Sequence, residues 1–126
     1  MGPQPLILLL EDEPFIAIDV ETALRSAGFA VETLRSCADG ERYIERTVPD
    51  LAIVDINLRD GPCHDLAAKL HEAGIPFIVH TGYARTDYAD SVFEKGLWLA
   101  KPTHQGMIVS AAIRAMKAGP ISDGEA

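Results

Sequence analysis

Short apolar runs alternate with longer amphipathic segments along the chain. Residues 6–10 are continuously apolar, as is typical of a strand buried on both faces of a parallel sheet. Residues 30–34 alternate between apolar and polar types, which indicates a strand nearer the edge. Strands that alternate with helical segments favour βαβ units around a parallel sheet. The five predicted strands cover residues 6–10, 30–34, 51–54, 75–79 and 97–100.

Five helices are predicted to follow these strands. Pro14 suits the first position of the first helix, and Gly28 is expected to end it. Pro62 is expected to open the third helix and Gly74 to end it. The fourth helix has few apolar residues, and its segment could equally be a loosely held turn, so we expect its local stability to be low. The helices are predicted at about residues 14–27, 38–46, 62–73, 86–94 and 107–115.

The composition indicates one acidic globular domain. The chain has 126 residues, of which 48% are hydrophobic, and this length suits one core but not two. Eleven Lys and Arg residues against nineteen Asp and Glu residues leave a formal charge of −8. Binding to nucleic acid or to an anionic membrane is therefore disfavoured, because both depend on clustered positive charge. We expect one domain over residues 1–118, a disordered tail over residues 119–126, and no output domain.

The sequence also predicts a cellular location. No apolar stretch approaches the roughly 20 residues of a membrane span, and the N-terminus lacks the basic region of a signal peptide. The two cysteines, Cys37 and Cys63, are too few for a disulfide framework and lack the paired spacing of a zinc site. We therefore expect a cytoplasmic protein with two reduced thiols.

Polar residues follow four of the five predicted strands. Because the carboxyl ends of parallel strands meet at one edge of an open α/β sheet, and ligands bind there, these side chains are expected to converge. They are Glu11 and Asp12 after the first strand, Asp55 after the third, His80 and Thr81 after the fourth, and Lys101 after the fifth.

Three carboxylates in one pocket repel one another unless positive charge lies among them. Lys101 supplies one such charge. A hard divalent cation such as Mg²⁺ supplies the rest, since Mg²⁺ prefers carboxylates, carbonyls, waters and phosphate oxygens. Thr81 adds a hydroxyl donor, and Gly82 leaves room for a phosphoryl group. The residue set therefore predicts a phosphate site that depends on a metal ion.

In order and spacing, these residues resemble the receiver domain of two-component response regulators. The resemblance covers residues 5–117, and its motifs are Glu11-Asp12, Asp55-Ile56-Asn57, Thr81-Gly82 and Lys101-Pro102. It implies a flavodoxin-like, doubly wound α/β fold with five helices and a five-stranded parallel sheet in the order 2-1-3-4-5.

The resemblance also implies a role for each site residue. Asp55 would be the phosphoacceptor, attacking a phosphohistidine on a sensor histidine kinase or a histidine phosphotransfer protein. Asp12, Asp55 and the backbone carbonyl of Asn57 would bind Mg²⁺, while Glu11 would act through water or position the others. These residues would be assisted by the catalytic side chains Thr81 and Lys101. Such a protein catalyses only its own phosphorylation and dephosphorylation, so it is not expected to be an enzyme acting on other substrates.

Signalling in the resembled family depends on a switch. Thr81 would couple the phosphoryl group to Trp98, which occupies the position of the family's switch aromatic, although a purely packing role for this indole is equally open. An unidentified target would bind the face formed by the fourth helix, fifth strand and fifth helix. Asn57 and Tyr83 flank the pocket mouth and would tune phosphoryl hydrolysis, and the Lys101-Pro102 bond would be cis.

The segment that contains His80 and Thr81 also resembles a Phe-Ala-Thr-Gly motif of an alphaproteobacterial receiver subgroup. Here the motif is Val-His-Thr-Gly, so it departs from that pattern. We interpret His80 as a structural residue with its hydrogen bonds satisfied, rather than as a metal ligand or phosphorylated group. The remaining histidines, His64, His71 and His104, lack ligand spacing and are interpreted as structural or surface residues.

Three other functions are weighed against a phosphorylated receiver. A docking module of the same fold would not need the complete set of Asp12, Asp55, Thr81 and Lys101. An aspartate-nucleophile phosphohydrolase generally has a second Asp two residues after the nucleophile, where this chain has Asn57. A flavin-binding module needs hydroxyls and backbone N–H groups after the first strand, where acidic residues 11–13 would repel a phosphate.

Overall fold

A computed structural model describes residues 4–119 of the chain. Within this range the main sheet has five parallel strands in the order β2-β1-β3-β6-β7, which confirms the predicted order 2-1-3-4-5. The central strand β1 pairs with β2 and β3 in register, so that Leu10 lies beside both Leu34 and Val54. The strands are β1 (Leu6–Leu10), β2 (Ala30–Leu34), β3 (Leu51–Val54), β6 (Phe77–Thr81) and β7 (Leu97–Ala100).

The described residues form four α-helices, two on each face of the sheet. At the start of α1, the Glu13 side chain accepts a hydrogen bond from the Phe15 backbone N–H at 3.1 Å. Past its end, Gly28 has a φ of 98°, in the left-handed region that favours glycine. The helices are α1 (Pro14–Ser26), α2 (Cys37–Arg46), α3 (His64–Glu72) and α4 (Gln105–Ala118).

The core consists of two apolar layers separated by the sheet. Successive side chains of a strand point to opposite faces, so Leu8 and Leu10 pack into one layer and Ile7 and Leu9 into the other. The first layer includes residues of α2 and α3, and the second includes residues of α1 and α4. Burial on both faces explains why β1 is continuously apolar.

The prediction of a fourth α-helix at about residues 86–94 is wrong. The segment forms two 3₁₀ helices, Arg85–Tyr88 and Val92–Lys95, separated by Asp90 with a φ of 63°. Phe93 is fully buried, while residues 82–87 are all exposed. A continuous helix needs an apolar stripe to pack against the sheet, and one buried side chain does not provide it. The structure therefore has four α-helices rather than five among its described residues.

A short hairpin lies between the third sheet strand and α3. The strands β4 (Asn57–Leu58) and β5 (Gly61–Pro62) pair antiparallel, and α3 begins at His64 rather than at Pro62 as predicted. Gly61 has a φ of 108°, which favours a turn at this point. The strand predicted at residues 75–79 also lies two residues later, so that His80 and Thr81 belong to β6.

The two cysteines are joined, contrary to the prediction of two reduced thiols. Cys37 at the start of α2 and Cys63 at the start of α3 form a disulfide, with a Cα–Cα distance of 5.4 Å across 26 residues of sequence. Packing of both helices on one face of the sheet brings the two residues together. Residues 120–126 of the predicted tail lie outside the described residues. Among helices within the described range, none is long and apolar enough to cross a membrane.

Candidate functional site

The predicted site residues meet at the carboxyl edge of the main sheet, as expected for an open α/β fold. Backbone hydrogen bonds extend the strand ladders up to these residues. The N–H of Glu11 donates to Leu34 at 3.0 Å, and the N–H of Asp55 donates to Leu10 at 3.1 Å. The N–H of Lys101 donates to the carbonyl of Thr81 at 2.8 Å. The sheet thus fixes the backbone from which three charged side chains project.

Lys101 bridges two of the carboxylates. Its Nζ lies 2.7 Å from Oε1 of Glu11 and 2.9 Å from Oδ2 of Asp55. The Glu11 side chain is only 1% exposed, and those of Asp55 and Lys101 are 13% and 16% exposed. Such burial strengthens the attraction between the charges but makes an unpaired charge costly. The Lys101-Pro102 peptide bond is cis, as the resemblance implied.

The acidic residues form a group that could hold a metal ion. One carboxylate oxygen from each of Glu11, Asp12 and Asp55 lies within 4.8 Å of the others. Glu11 is buried, whereas Asp12 and Asp55 are half-buried and open toward solvent. Asn57 follows Asp55 by two residues and places a backbone carbonyl on the adjacent hairpin. An all-oxygen donor set of this size fits Mg²⁺, which keeps several waters of its own.

Burial and ion pairing have opposite effects on the charged groups of the site. Burial raises the pKa of Glu11, and the hydrogen bonds from Lys101 and the Glu13 N–H only partly oppose this effect. Burial alone would lower the pKa of Lys101, but its hydrogen bonds to Asp55 and Glu11 outweigh burial and raise that pKa. Lys101 therefore stays protonated and supplies a fixed positive charge between the carboxylates.

Thr81, at the end of β6, and Asn57, on the β4–β5 hairpin, are linked through Tyr83. Thr81 is fully buried, and its Oγ1 accepts a hydrogen bond from the Tyr83 backbone N–H at 3.2 Å. The side-chain amide of Asn57 donates to the hydroxyl of Tyr83 at 2.6 Å. Tyr83 therefore contacts both neighbours through different atoms. The sequence placed Tyr83 at the mouth of the pocket but gave no sign of this hydrogen bond.

A group of aromatic rings extends from this mouth toward Trp98. The ring of Tyr83 meets that of Tyr88 edge-on, with 5.7 Å between the ring centroids. The centroid of the Tyr88 ring lies 6.4 Å from that of Trp98 and 5.6 Å from that of Phe93. Trp98 itself is half-buried on β7, opposite Val79 in the register. The sequence does not predict this group, because Tyr88 and Phe93 fall in the segment predicted as a helix, whereas Tyr83 and Trp98 fall outside it. Its only sequence signal was the recurrence of aromatic residues over positions 83–98.

His80 occupies the strand position before Thr81. It is 3% exposed, and its Nε2 lies 3.1 Å from Oγ1 of Thr103. Thr103 Oγ1 donates to the Ala100 carbonyl, so the imidazole donates from Nε2, and Nδ1 has no partner among the described residues. Burial, with a smaller contribution from Lys101, lowers the pKa of His80 to about 4. The predicted structural role fits, but only one ring nitrogen is satisfied.

Two of the other histidines have structural contacts. His104 caps α4, because its Nδ1 accepts a hydrogen bond from the Gly106 N–H at 3.1 Å. His64 opens α3, and its ring lies 4.8 Å from that of Phe93. Neither residue is among the members of the acidic group.

Comparison with known proteins links this site to a family. A family model described as "Response regulator receiver domain" matches residues 7–113. The photosynthetic apparatus regulatory protein RegA of Cereibacter sphaeroides is 30% identical over 86% of this chain and 60% of its own length. The acid tolerance regulatory protein ActR of Rhizobium meliloti is 30% identical over 90% of this chain and 61% of its own length. The chain thus spans about three fifths of each of these relatives.

Solved structures with the same fold are also receiver domains. A response regulator receiver protein from Sinorhizobium medicae superposes with a TM-score of 0.82, at 25% identity, over 91% of this chain and 96% of that one. A CheY-like receiver from Methanospirillum hungatei gives a TM-score of 0.84 at 24% identity, over 92% of this chain and 96% of that one. The receiver domain of a Pseudomonas aeruginosa sensor kinase was solved with magnesium coordinated in its active-site cleft. It superposes with a TM-score of 0.81, at 23% identity, over 91% of this chain and 99% of that one.

Proposed function

The chain belongs to the response regulator receiver domain family, and from this membership we propose that it accepts a phosphoryl group on Asp55 in two-component signalling. The donor is phosphohistidine on a sensor histidine kinase or a histidine phosphotransfer protein. The observation that carries the proposal is the position of Asp55, which shares Lys101 with Glu11 at distances of 2.9 and 2.7 Å. A carboxylate at the open edge of the sheet, next to a fixed ammonium group, is suited to attack phosphorus.

The transfer forms one bond and breaks one. A carboxylate oxygen of Asp55 attacks the phosphorus atom, the P–N bond to the donor imidazole breaks, and an aspartyl phosphate results. Phosphoryl transfer needs in-line positioning and positive charge near the equatorial oxygens more than it needs covalent chemistry from the protein. Lys101 provides part of that charge. Its ion pair with Asp55 in the unphosphorylated state keeps the ammonium at the reacting carboxylate.

The acidic group would hold Mg²⁺ through Asp12, Asp55 and the backbone carbonyl of Asn57, with Glu11 acting through water or as a positioning residue. Glu11 is buried and already paired with Lys101, which favours the positioning role. When bound, Mg²⁺ supplies positive charge to the phosphoryl oxygens and offsets repulsion among the carboxylates. The magnesium in the related Pseudomonas aeruginosa receiver supports this assignment.

Thr81 and Trp98 form the proposed switch. Thr81 Oγ1 accepts a hydrogen bond from Tyr83, so its hydroxyl proton is free to be donated to a phosphoryl oxygen. Movement of Thr81 would disturb Tyr83 and the aromatic group that reaches Trp98. The segment Arg85–Lys95, with two short 3₁₀ helices, has the low local stability suited to a rearrangement. An unidentified target would read the change on the face formed by this segment, β7 and α4.

The alternative function is a docking module, in which the same fold binds a partner protein without being phosphorylated. Turnover of external phosphate esters is disfavoured, because the position two residues after Asp55 is Asn57, whose amide donates to Tyr83 rather than to a leaving group. Asn57 does not supply the proton that a general acid needs.

Intact-protein mass spectrometry after incubation with phosphoramidate tests the proposal, because the P–N bond of this donor resembles that of phosphohistidine. The expected result is the mass of one added phosphoryl group, dependent on Mg²⁺ and absent from the Asp55→Asn variant. Asp50→Asn is the matched control, since Asp50 lies at the opposite end of β3 and binds the Leu6 N–H at 2.7 Å. If the Asp55→Asn variant gained a phosphoryl group as fast as the wild-type protein, the proposal would be overturned.

A further inference from the structure

The disulfide lies beside the segment that follows the phosphoacceptor. Cys37 is the first residue of α2, and Cys63 is the residue that caps α3. The bond closes a loop of chain that contains α2, β3, Asp55 and the β4–β5 hairpin. Reduction of this one bond therefore removes a covalent restraint from a segment on which a site residue is located.

The hairpin is held to α2 by contacts around the disulfide. The carboxylate of Asp60, at the hairpin turn, accepts hydrogen bonds from the N–H groups of Cys37 at 2.8 Å and Ala38 at 3.0 Å. The N–H of Cys63 donates to the carbonyl of Ile56 at 3.0 Å. Each hairpin strand has only two residues, so the ladder is short and opens at low cost. The disulfide is the one covalent contact among these.

Both sulfur atoms are shielded while the hairpin is closed. Cys37 is 7% exposed and Cys63 is 1% exposed, so a small thiol reaches them only after the hairpin opens. Both cysteines lie at helix N-termini, where the helix dipole favours the thiolate needed for exchange. The negative charge of Asp60, bound to the same helix end, opposes this effect for Cys37. A short hairpin over a buried bond thus provides controlled access without making the bond inert.

We propose that Cys37 and Cys63 are a reversible thiol–disulfide pair whose oxidation strengthens Mg²⁺ binding at the acidic group. The contacts around the disulfide support the reversible pair, whereas the coupling to Mg²⁺ binding rests on the proposed function. The link is Asn57, which lies on the hairpin and whose backbone carbonyl is the proposed ligand. When the disulfide holds the hairpin closed, that carbonyl stays in place. After reduction, the hairpin opens more often, and the binding-competent population falls.

The oxidant is a low-molecular-weight disulfide such as glutathione disulfide. The thiolate of Cys37, the more exposed residue, attacks one sulfur of the oxidant and releases one glutathione thiolate. The thiolate of Cys63 then attacks the Cys37 sulfur of the mixed disulfide and releases the second. Two protein thiols are oxidised and one glutathione disulfide is reduced to two glutathione molecules, whose thiolates take up the two protons that the protein thiols lose. The reverse sequence reduces the protein.

The first test is a redox titration of the full chain. The protein is equilibrated in buffers that differ in the ratio of glutathione to glutathione disulfide. Free thiols are then alkylated with N-ethylmaleimide, and the mass of the intact protein is measured. We expect two alkyl groups per protein in the most reducing buffer and none in the most oxidising buffer. The midpoint should be the same whether the titration starts from reduced or from oxidised protein. Separate glutathione adducts on each cysteine, or no disulfide in the most oxidising buffer, would overturn the proposal. A bond that resists reduction by glutathione in the folded protein would also overturn it.

The second test measures Mg²⁺ binding by calorimetry in the oxidised and reduced protein. Reduction is expected to weaken Mg²⁺ binding several-fold. The double variant Cys37→Ser with Cys63→Ser is the control, and its affinity is expected to be the same in both buffers and close to that of the reduced protein. Equal affinity of the oxidised and reduced wild-type protein would overturn the coupling while leaving the proposed function intact. Loss of Mg²⁺ binding in both forms would instead contradict the metal assignment, and the coupling with it.

Discussion

The side-chain amide of Asn57 donates a 2.6 Å hydrogen bond to the hydroxyl of Tyr83, which joins the segments that follow two neighbouring strands. Asn57 lies two residues after Asp55, and Tyr83 lies two residues after Thr81. The hydrogen bond restrains the Asn57 side chain and the exposed Tyr83 ring at the edge of the sheet where Asp55 lies. Under the proposed function, we expect this bonded pair to limit the access of water to a phosphoryl group on Asp55.

Replacing Tyr83 is expected to shorten the lifetime of the aspartyl phosphate. Tyr83→Ala removes the ring and frees the Asn57 amide, so hydrolysis should accelerate by about three- to tenfold, or roughly 1 kcal/mol in the barrier. Tyr83→Phe keeps the ring and loses only the hydrogen bond, and should have an intermediate effect. The decay of the phosphorylated mass measures the lifetime. Val48→Ala, at an exposed position before β3, serves as control, and an Ala variant at position 83 that decays no faster than this control would contradict the prediction.

Lys101→Gln is expected to destabilise the protein and to slow phosphorylation. Without the ammonium, Glu11 and Asp55 are left without their shared cation, which costs about 3 kcal/mol at pH 7 in the absence of Mg²⁺. The cost should fall toward pH 5, because the pKa of Glu11 is already raised by burial and the carboxyl takes up a proton. Urea unfolding at both pH values provides the measurement. Lys101→Arg keeps the charge and should lose less stability; equal losses in the two variants would argue against the ion pair.

Mg²⁺ is expected to raise the melting temperature. Binding to the folded pocket relieves repulsion among the carboxylates, and a concentration of about 100 times Kd adds about 2.7 kcal/mol to the free energy of unfolding. Asp12→Asn should reduce the shift, whereas Asp50→Asn should not, because Asp50 contacts Leu6 at the other end of the sheet. Differential scanning calorimetry with and without Mg²⁺ tests this. A folded Asp12→Asn variant with the full shift would exclude Asp12 as a ligand.

His80 is expected to make the protein less stable in acid. Burial lowers its pKa from 6.5 to about 4, so the folded state binds fewer protons than the unfolded state between these pH values. The stability from this group is complete above about pH 6.5 and is lost as the pH falls toward 4. Between pH 7 and pH 4.5 the loss is about 2–3 kcal/mol. Urea unfolding of the wild type and of His80→Gln at both pH values isolates the effect; identical losses would contradict it.

The sheet could be predicted because its sequence signal is strong. Residues 6–10 and 51–54 are continuously apolar, and both faces of these strands are buried by helices. Once the parallel strands are placed, the convergence of Glu11, Asp55 and Lys101 follows from topology. This part of the site needs no information beyond the order of the elements.

Other features depend on tertiary contacts that local patterns do not encode. The β4–β5 hairpin is too short for alternation to mark it, and Pro62 within it imitates a helix start. The Cys37–Cys63 pair requires that two helices pack side by side on the same face. The segment after Thr81 has the propensity of a weak helix, but it lacks the apolar stripe needed to pack as one.

The central claim is that Asp55 carries the phosphoryl group. Sodium borohydride reduces an aspartyl phosphate to homoserine, so treatment of the phosphorylated protein followed by proteolysis and peptide mass spectrometry locates the modified residue. We predict the reduced side chain at position 55 alone, and only after incubation with donor and Mg²⁺. Modification at Asp12 instead, or none in folded protein that binds Mg²⁺, would contradict the claim.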